Sequence, residues 1–166
     1  MKFRGRVHKF GDHISTDLII PGRYFHLRGN LPELAKHCME DADTEFIQKV
    51  KPGDFIVAGK NFGCGSSREH AARVIKLCGI SAVIAGSFAR IFFRNDINIG
   101  LAALECDTGK IEQGDELEVD IQSGVVKNIT REEQMNFVPL PEIMVKILSE
   151  GSLVHYIKRY GNFQSE

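Results

Sequence analysis

The sequence lacks any apolar run approaching the ~20 residues that cross a bilayer. Its opening, M-K-F-R-G-R-V-H-K-F, holds no apolar stretch of signal-peptide length. Net charge is scarce, −1 over 166 residues, so no strong field steers the chain to nucleic acid or an anionic membrane. No basic–aromatic stripe marks an RNA-binding face. Cysteine is limited to Cys38, Cys64, Cys78 and Cys106, none in a C-x-x-C pair. Their spacing suits neither a zinc site nor an iron–sulfur cluster held by this chain alone. Repeats and low-complexity stretches are absent. The order Gly-x-x-x-x-Gly-Lys-Ser/Thr is missing, as is Gly-x-Ser-x-Gly, which excludes a Walker loop and a hydrolase elbow. No Gly-x-Gly-x-x-Gly reads through residues 63–68, which weakens a dinucleotide fold. These absences lead to the expectation of a soluble cytoplasmic protein forming one domain over residues 1–166.

What is present centres on V-A-G-K-N-F-G-C-G-S-S-R-E-H-A-A, residues 57–72. Phe55–Ala58 reads as a buried strand, and a helical pattern opens near the serines and runs to Leu77. Gly63 and Gly65 allow positive φ and close approach of a ligand to the backbone. Ser66, Ser67 and Arg68 fall where the helix begins, an end that favours anions. Ser66-x-x-Glu69 also fits a capping box, which would account for Ser66 and Glu69 as purely structural. It leaves Ser67, Arg68 and the two spaced glycines unexplained.

Around this centre, residues 3–10 predict a first strand. Asp12, Ser15, Thr16 and Asp17 are turn and cap formers; they make a plain polar loop, or bring Thr16 and Asp17 to the site at Ser66. Residues 23–30 have no clean period and read as a loop. Helical spacing covers 31–41, with Met39 as core, and 43–50 suits a second short helix. Lys51–Asp54 is a turn. Gly79 ends the central helix, and residues 81–86 form a strand parallel to the one at Phe55–Ala58. Ser87 is the expected cap of a helix from Phe88 to Asn95, with Phe88, Phe92 and Phe93 inward and Arg90 and Arg94 on one face. Leu101–Leu104 is another strand. Residues 114–121 alternate with period two, and Val125–Ile129 returns as a hairpin. Helices follow over 141–149 and from Leu153 onward, with a frayed tail from Phe163. Nothing after about residue 100 reads as catalytic. His70 on the first turn is a helix-surface histidine rather than a proton carrier, and Cys64 reads as packing.

Three ordered motifs carry a resemblance over nearly the whole chain: F-G-D-x-x-x-T-D-x-I-I-P near the start, N-F-G-C-G-S-S-R-E-H-A-A at the centre, and S-F-A-R-I-F-F-R-N-x-I-N-x-G-L after it. Together they resemble the swivelling domain of the aconitase superfamily, in the form of the separate small subunits of 3-isopropylmalate dehydratase and homoaconitase. The resemblance implies an α/β fold, a swivelling β/β/α domain with a strand–Gly loop–helix core and a C-terminal β-hairpin plus helices. It implies hydration and dehydration of a 2-hydroxy acid, with Ser66 as base and Ser67 and Arg68 holding a substrate carboxylate. Thr16, Asp17, Gly63 and Gly65 would support them. The loop after Pro21 would select the substrate's side group, through Arg23, His26 and Arg28 or through Phe25 and Leu27. Phe25-His26-Leu27 departs from the tetrad that typical isopropylmalate enzymes carry there, which leaves isopropylmalate, homoaconitate and dimethylmalate open as substrates. A [4Fe–4S] cluster is implied on a large partner subunit, with no metal on this chain. A non-catalytic partner-binding module is the alternative of another class, and the intact Ser66, Ser67 and Arg68 argue against it.

Overall fold

The computed structural model describes residues 1–162. The tail from Phe163 lies outside the described residues. Seven strands form one sheet: β1 (Lys2–Lys9), β2 (Phe55–Ala58), β3 (Ala82–Ala85), β4 (Ala102–Glu105), β5 (Glu116–Asp120), β6 (Val125–Asn128) and β7 (Glu133–Asn136), in the order β4-β3-β2-β1-β5-β6-β7. The β4-β3-β2-β1 side is parallel and the β1-β5-β6-β7 side antiparallel. β1 belongs to both. Its last residues, Val7–Lys9, pair with Phe55–Val57, and Lys2–Arg6 pair with β5 on the other side.

The helices are α1 (Thr16–Ile19), α2 (Leu31–Ala35), α3 (Phe46–Lys49), α4 (Glu69–Leu77), α5 (Arg90–Ile99), α6 (Glu142–Ser149) and α7 (Leu153–Tyr160). The parallel strands are buried on both faces, so they read as continuous apolar runs. Their alternation feeds two cores. Ile56, Ala58, Val83 and Ala85 pack with Leu34, Met39, Ala72 and Ile75. Phe55, Val57, Ala82 and Ile84 pack with Leu117, Val126, Leu148 and Tyr156. α5 joins them: Phe92 enters the first core, Ile97 the second, and Phe93 packs against both.

Several sequence expectations shift. Residues 22–27 form a 3₁₀ helix rather than a loop, and Thr16–Ile19 a short helix capped by Ser15 Oγ, which accepts from the Leu18 amide. The helix expected over 31–41 stops at Ala35, with turns after it and Met39, fully buried, at φ 60°. The helix after Ser87 begins only at Arg90 and runs on through Ile99. Ser87 does not cap it, because its Oγ accepts from the Asn61 amide across the sheet edge, at 2.8 Å. β7 is absent from the sequence reading, being a four-residue edge strand whose one apolar side chain, Met135, packs half-buried against the second core.

Candidate functional site

The Gly-rich loop leaves the carboxyl end of β2 and is sewn to the segment before and within α1. Gly63 N donates to Ile14 O at 2.7 Å and Thr16 N to Cys64 O at 2.8 Å, and Ser15 and Cys64 form a parallel bridge. Gly63 and Gly65 hold φ of 77° and 103°. A Cβ on Gly63 would stand 2.1 Å from the Phe92 ring, so this turn needs glycine for its dihedral and for contact with α5. Cys64 is a partly buried side chain of this weave.

Ser66 and Ser67 are exposed and Arg68 is partly so. The capping box expected at Ser66 and Glu69 does not form: Arg68 occupies the cap position, with extended backbone and no side-chain cap bond. The Ser66 hydroxyl is instead engaged by Thr16. Thr16 Oγ1 donates to Ser66 Oγ at 3.4 Å and accepts from the Ser66 amide at 3.1 Å. Thr16 itself is buried, so its hydroxyl is presented from the packed interior to the exposed serine. The amides of Ser67, Arg68, Glu69 and His70 donate to no acceptor among the described residues. Four free N–H groups in a row at the start of a nine-residue helix attract an anion, and the helix dipole adds to the pull. Asn95 on α5 donates to Ser67 O at 3.5 Å and ties the loop from the far side.

Arg68 lies over the Phe25 ring, 4.8 Å from its centroid, with Nη1 at 3.4 Å from Asp17 Oδ1. Asp17 is well exposed, so this pair is weak and exchangeable. Arg28 lies 4.9 Å from the same ring, and His70 meets it edge-on at 5.8 Å. The structure therefore gathers Thr16, Asp17, Phe25, Arg28, Ser66, Arg68 and His70. Arg23 is not part of this group: it makes a two-bond pair with Asp41, at 2.7 and 2.9 Å, and stacks on Tyr24. His26 Nδ1 donates to the Arg23 carbonyl at 3.0 Å. Asn95 and the ring role of Phe25 escaped sequence reasoning. The Asn sits inside the third motif, which was the available signal.

Among the described residues, no three His, Cys, Asp or Glu side chains converge as a metal-holding group. Cys38 is fully buried and Cys106 nearly so, and burial pushes the Cys106 thiol up to about 11, the reverse of what a thiolate ligand needs. The donor set of the described residues does not fit an iron–sulfur cluster. No helix among the described residues is long and apolar enough to cross a membrane.

A parallel half-sheet with the crossover helix α4 between β2 and β3, continued by an antiparallel half-sheet, makes this an α/β domain. The Aconitase C-terminal domain family matches residues 15–109. The chain is 62% identical to 3-isopropylmalate dehydratase small subunit 2 of Archaeoglobus fulgidus, over 99% of each chain. It is 59% identical to small subunit 1 of that enzyme from Thermotoga maritima, over 96% of this chain and 97% of the relative. A crystal structure of 3-isopropylmalate dehydratase from Methanocaldococcus jannaschii superposes with a TM-score of 0.93 at 47% identity, covering 97% of this chain and 96% of that one. The chain belongs to the 3-isopropylmalate dehydratase small-subunit family of the aconitase superfamily.

Proposed function

We propose that this chain is the small subunit of a two-chain hydro-lyase of leucine biosynthesis, which interconverts 2-isopropylmalate and 3-isopropylmalate by dehydration and rehydration. The relatives' names support the reaction, and the Thr16–Ser66 geometry carries the assignment of the base. Dehydration takes a proton from a carbon beside a carboxylate while hydroxide leaves the neighbouring carbon. A free serine is too weakly ionised to take that proton at neutral pH. At Ser66 the oxygen is exposed to an incoming acid, and the Thr16 hydroxyl points a donor at it. Free amides at the start of α4 and the Arg68 guanidinium make the surroundings positive, and together they lower the cost of an alkoxide.

Ser67 and Arg68 hold a substrate carboxylate, Arg68 by a paired contact once it leaves the weak hold of Asp17. Phe25 and Arg28 stand beside that anchor and face the substrate's side group. The [4Fe–4S] cluster belongs to the large subunit, where it supplies Lewis acidity; this chain supplies base and anchor. Purified alone, the chain should turn over nothing. Mixed with the large subunit, the wild type should be active and Ser66→Ala should lose about a thousandfold in kcat while still binding the partner. Turnover by the chain alone, or full activity in Ser66→Ala, overturns the reading. Parallel assays with homoaconitate and dimethylmalate decide the substrate.

A further inference from the structure

A groove of about 420 Å³ opens between the first half of α5, the end of β4 and the segment before α6. Phe88, Phe93, Val138, Leu140 and Met144 line it, together with the exposed Arg90 and Arg94. The two guanidinium groups sit one turn apart on one helix face, an arrangement that repels. Neither makes an ion pair or hydrogen bond among the described residues, and Glu105, which also lines the groove, pairs with neither. Nearby large apolar side chains stand in water: Ile91 is 53% exposed and Val138 60%.

A second groove, about 750 Å³ between α4 and α7, lacks this unmet charge. Its cations are already satisfied: Arg73 by Glu69, and Lys76 by the carbonyls of Ile99 and Gly151. The first groove is also on the same edge of the sheet as the site. The Ser66 loop follows β2, Arg90 follows β3, and Glu105 ends β4, so all three lie at the carboxyl ends of parallel strands. The Asn95–Ser67 bond joins the two places physically.

We propose that this groove is where the large subunit docks, through an acidic and apolar segment: carboxylates meet Arg90 and Arg94, and an apolar side chain fills the space beside Phe93, Val138 and Met144. The inference rests on the two-chain reading above. A partner that covers Ser66 reaches the groove without leaving the edge, and its carboxylates relieve the repulsion between the two arginines. Desolvated arginine and apolar anchors of this kind dominate interface affinity.

The test is calorimetric titration of the full-length chain with the large subunit from the same organism, with circular dichroism to confirm folding. Arg90→Glu/Arg94→Glu should weaken binding by about 30-fold or more, and Val138→Asp by about tenfold. Leu77→Asp and Val154→Asp, at the second groove, should stay within about twofold of wild type. Ser66→Ala should bind as wild type does. Binding of wild type with no loss in the Arg90/Arg94 variant overturns this inference alone; no binding by wild type overturns the two-chain reading. Two other occupants have their own readouts. Titration of the chain with 4-methylpentanoate, with chemical-shift changes at Arg90 and Arg94 in the micromolar range, would make the groove a small-carboxylate site. Self-association lost on charge reversal would make it a contact between copies. Either outcome overturns the proposal.

Discussion

Replacing Asp96 should stabilise the protein, by an amount that grows as pH rises. The residue sits on α5 between Phe92 and Ile97, each of which enters one of the two cores, and it is fully buried. Neither carboxylate oxygen has a hydrogen-bond partner among the described residues. Burial without a partner disfavours the charged form and pushes this carboxyl well above its ordinary 3.8. Between the ordinary and the raised value, the folded state keeps a proton that the unfolded chain has lost. Stability must therefore fall with rising pH there, by about 1.4 kcal/mol per pH unit for one proton. Asp96→Asn keeps the shape and cannot ionise, so it lacks this slope. Asp96→Ala lacks it too, and also removes an unsatisfied buried group worth about 1–3 kcal/mol. Urea unfolding of the isolated chain at a series of pH values above about 4 gives each difference from wild type. Both variants should gain steadily on wild type as pH rises, with Asp96→Ala offset above Asp96→Asn. A gap that does not change with pH would mean that the carboxyl ionises normally inside the fold, and the reasoning would be wrong.

Other groups make the opposite or separate demands. Burial alone would raise the Asp54 carboxyl, but the bond from His8 at 2.8 Å and the amides of Lys51 and Arg6 outweigh it and hold the group low. Its contribution is present above the ordinary 3.8 and lost as pH falls through the lowered value, so Asp54→Ala should cost about 3 kcal/mol at pH 7 and much less under strong acid, read by urea melts. Gly63→Ala should cost at least about 2 kcal/mol in the same melts, since the new methyl meets the Phe92 ring at a φ of 77°; a neutral result would show that the loop is not held there. Phe25→Ala should raise KM of the reconstituted enzyme about two- to fivefold, the value of an exposed cation–π contact, and leave kcat nearly unchanged. A large fall in kcat alone would place Phe25 in the chemistry instead.

The strands that were legible are those whose burial writes a pattern. Phe55–Ala58 and Ala82–Ala85 are covered on both faces and appear as unbroken apolar runs, and β5 appears as strict alternation. The site was legible as a motif, because glycine spacing, two serines and an arginine mark one bend. Its wiring was not. That Thr16 rather than Glu69 engages Ser66 depends on a contact across 50 positions, which no local rule supplies. Ser87 misled for the same reason: a good cap by type, it is spent on Asn61. Asp96 gave no warning, since an acidic residue in a helix reads as solvent-facing until its neighbours are placed.

β1 has a consequence for how the molecule comes into being. A ribosome delivers its residues well before their partners: Lys2–Arg6 wait for Glu116–Asp120, more than a hundred positions downstream, before their edge is covered. Until then the newborn chain carries a bare ribbon along the seam where its two halves will meet. The alternating lysine and arginines there, Lys2, Arg4 and Arg6, keep such a ribbon from adhering to its siblings while it waits.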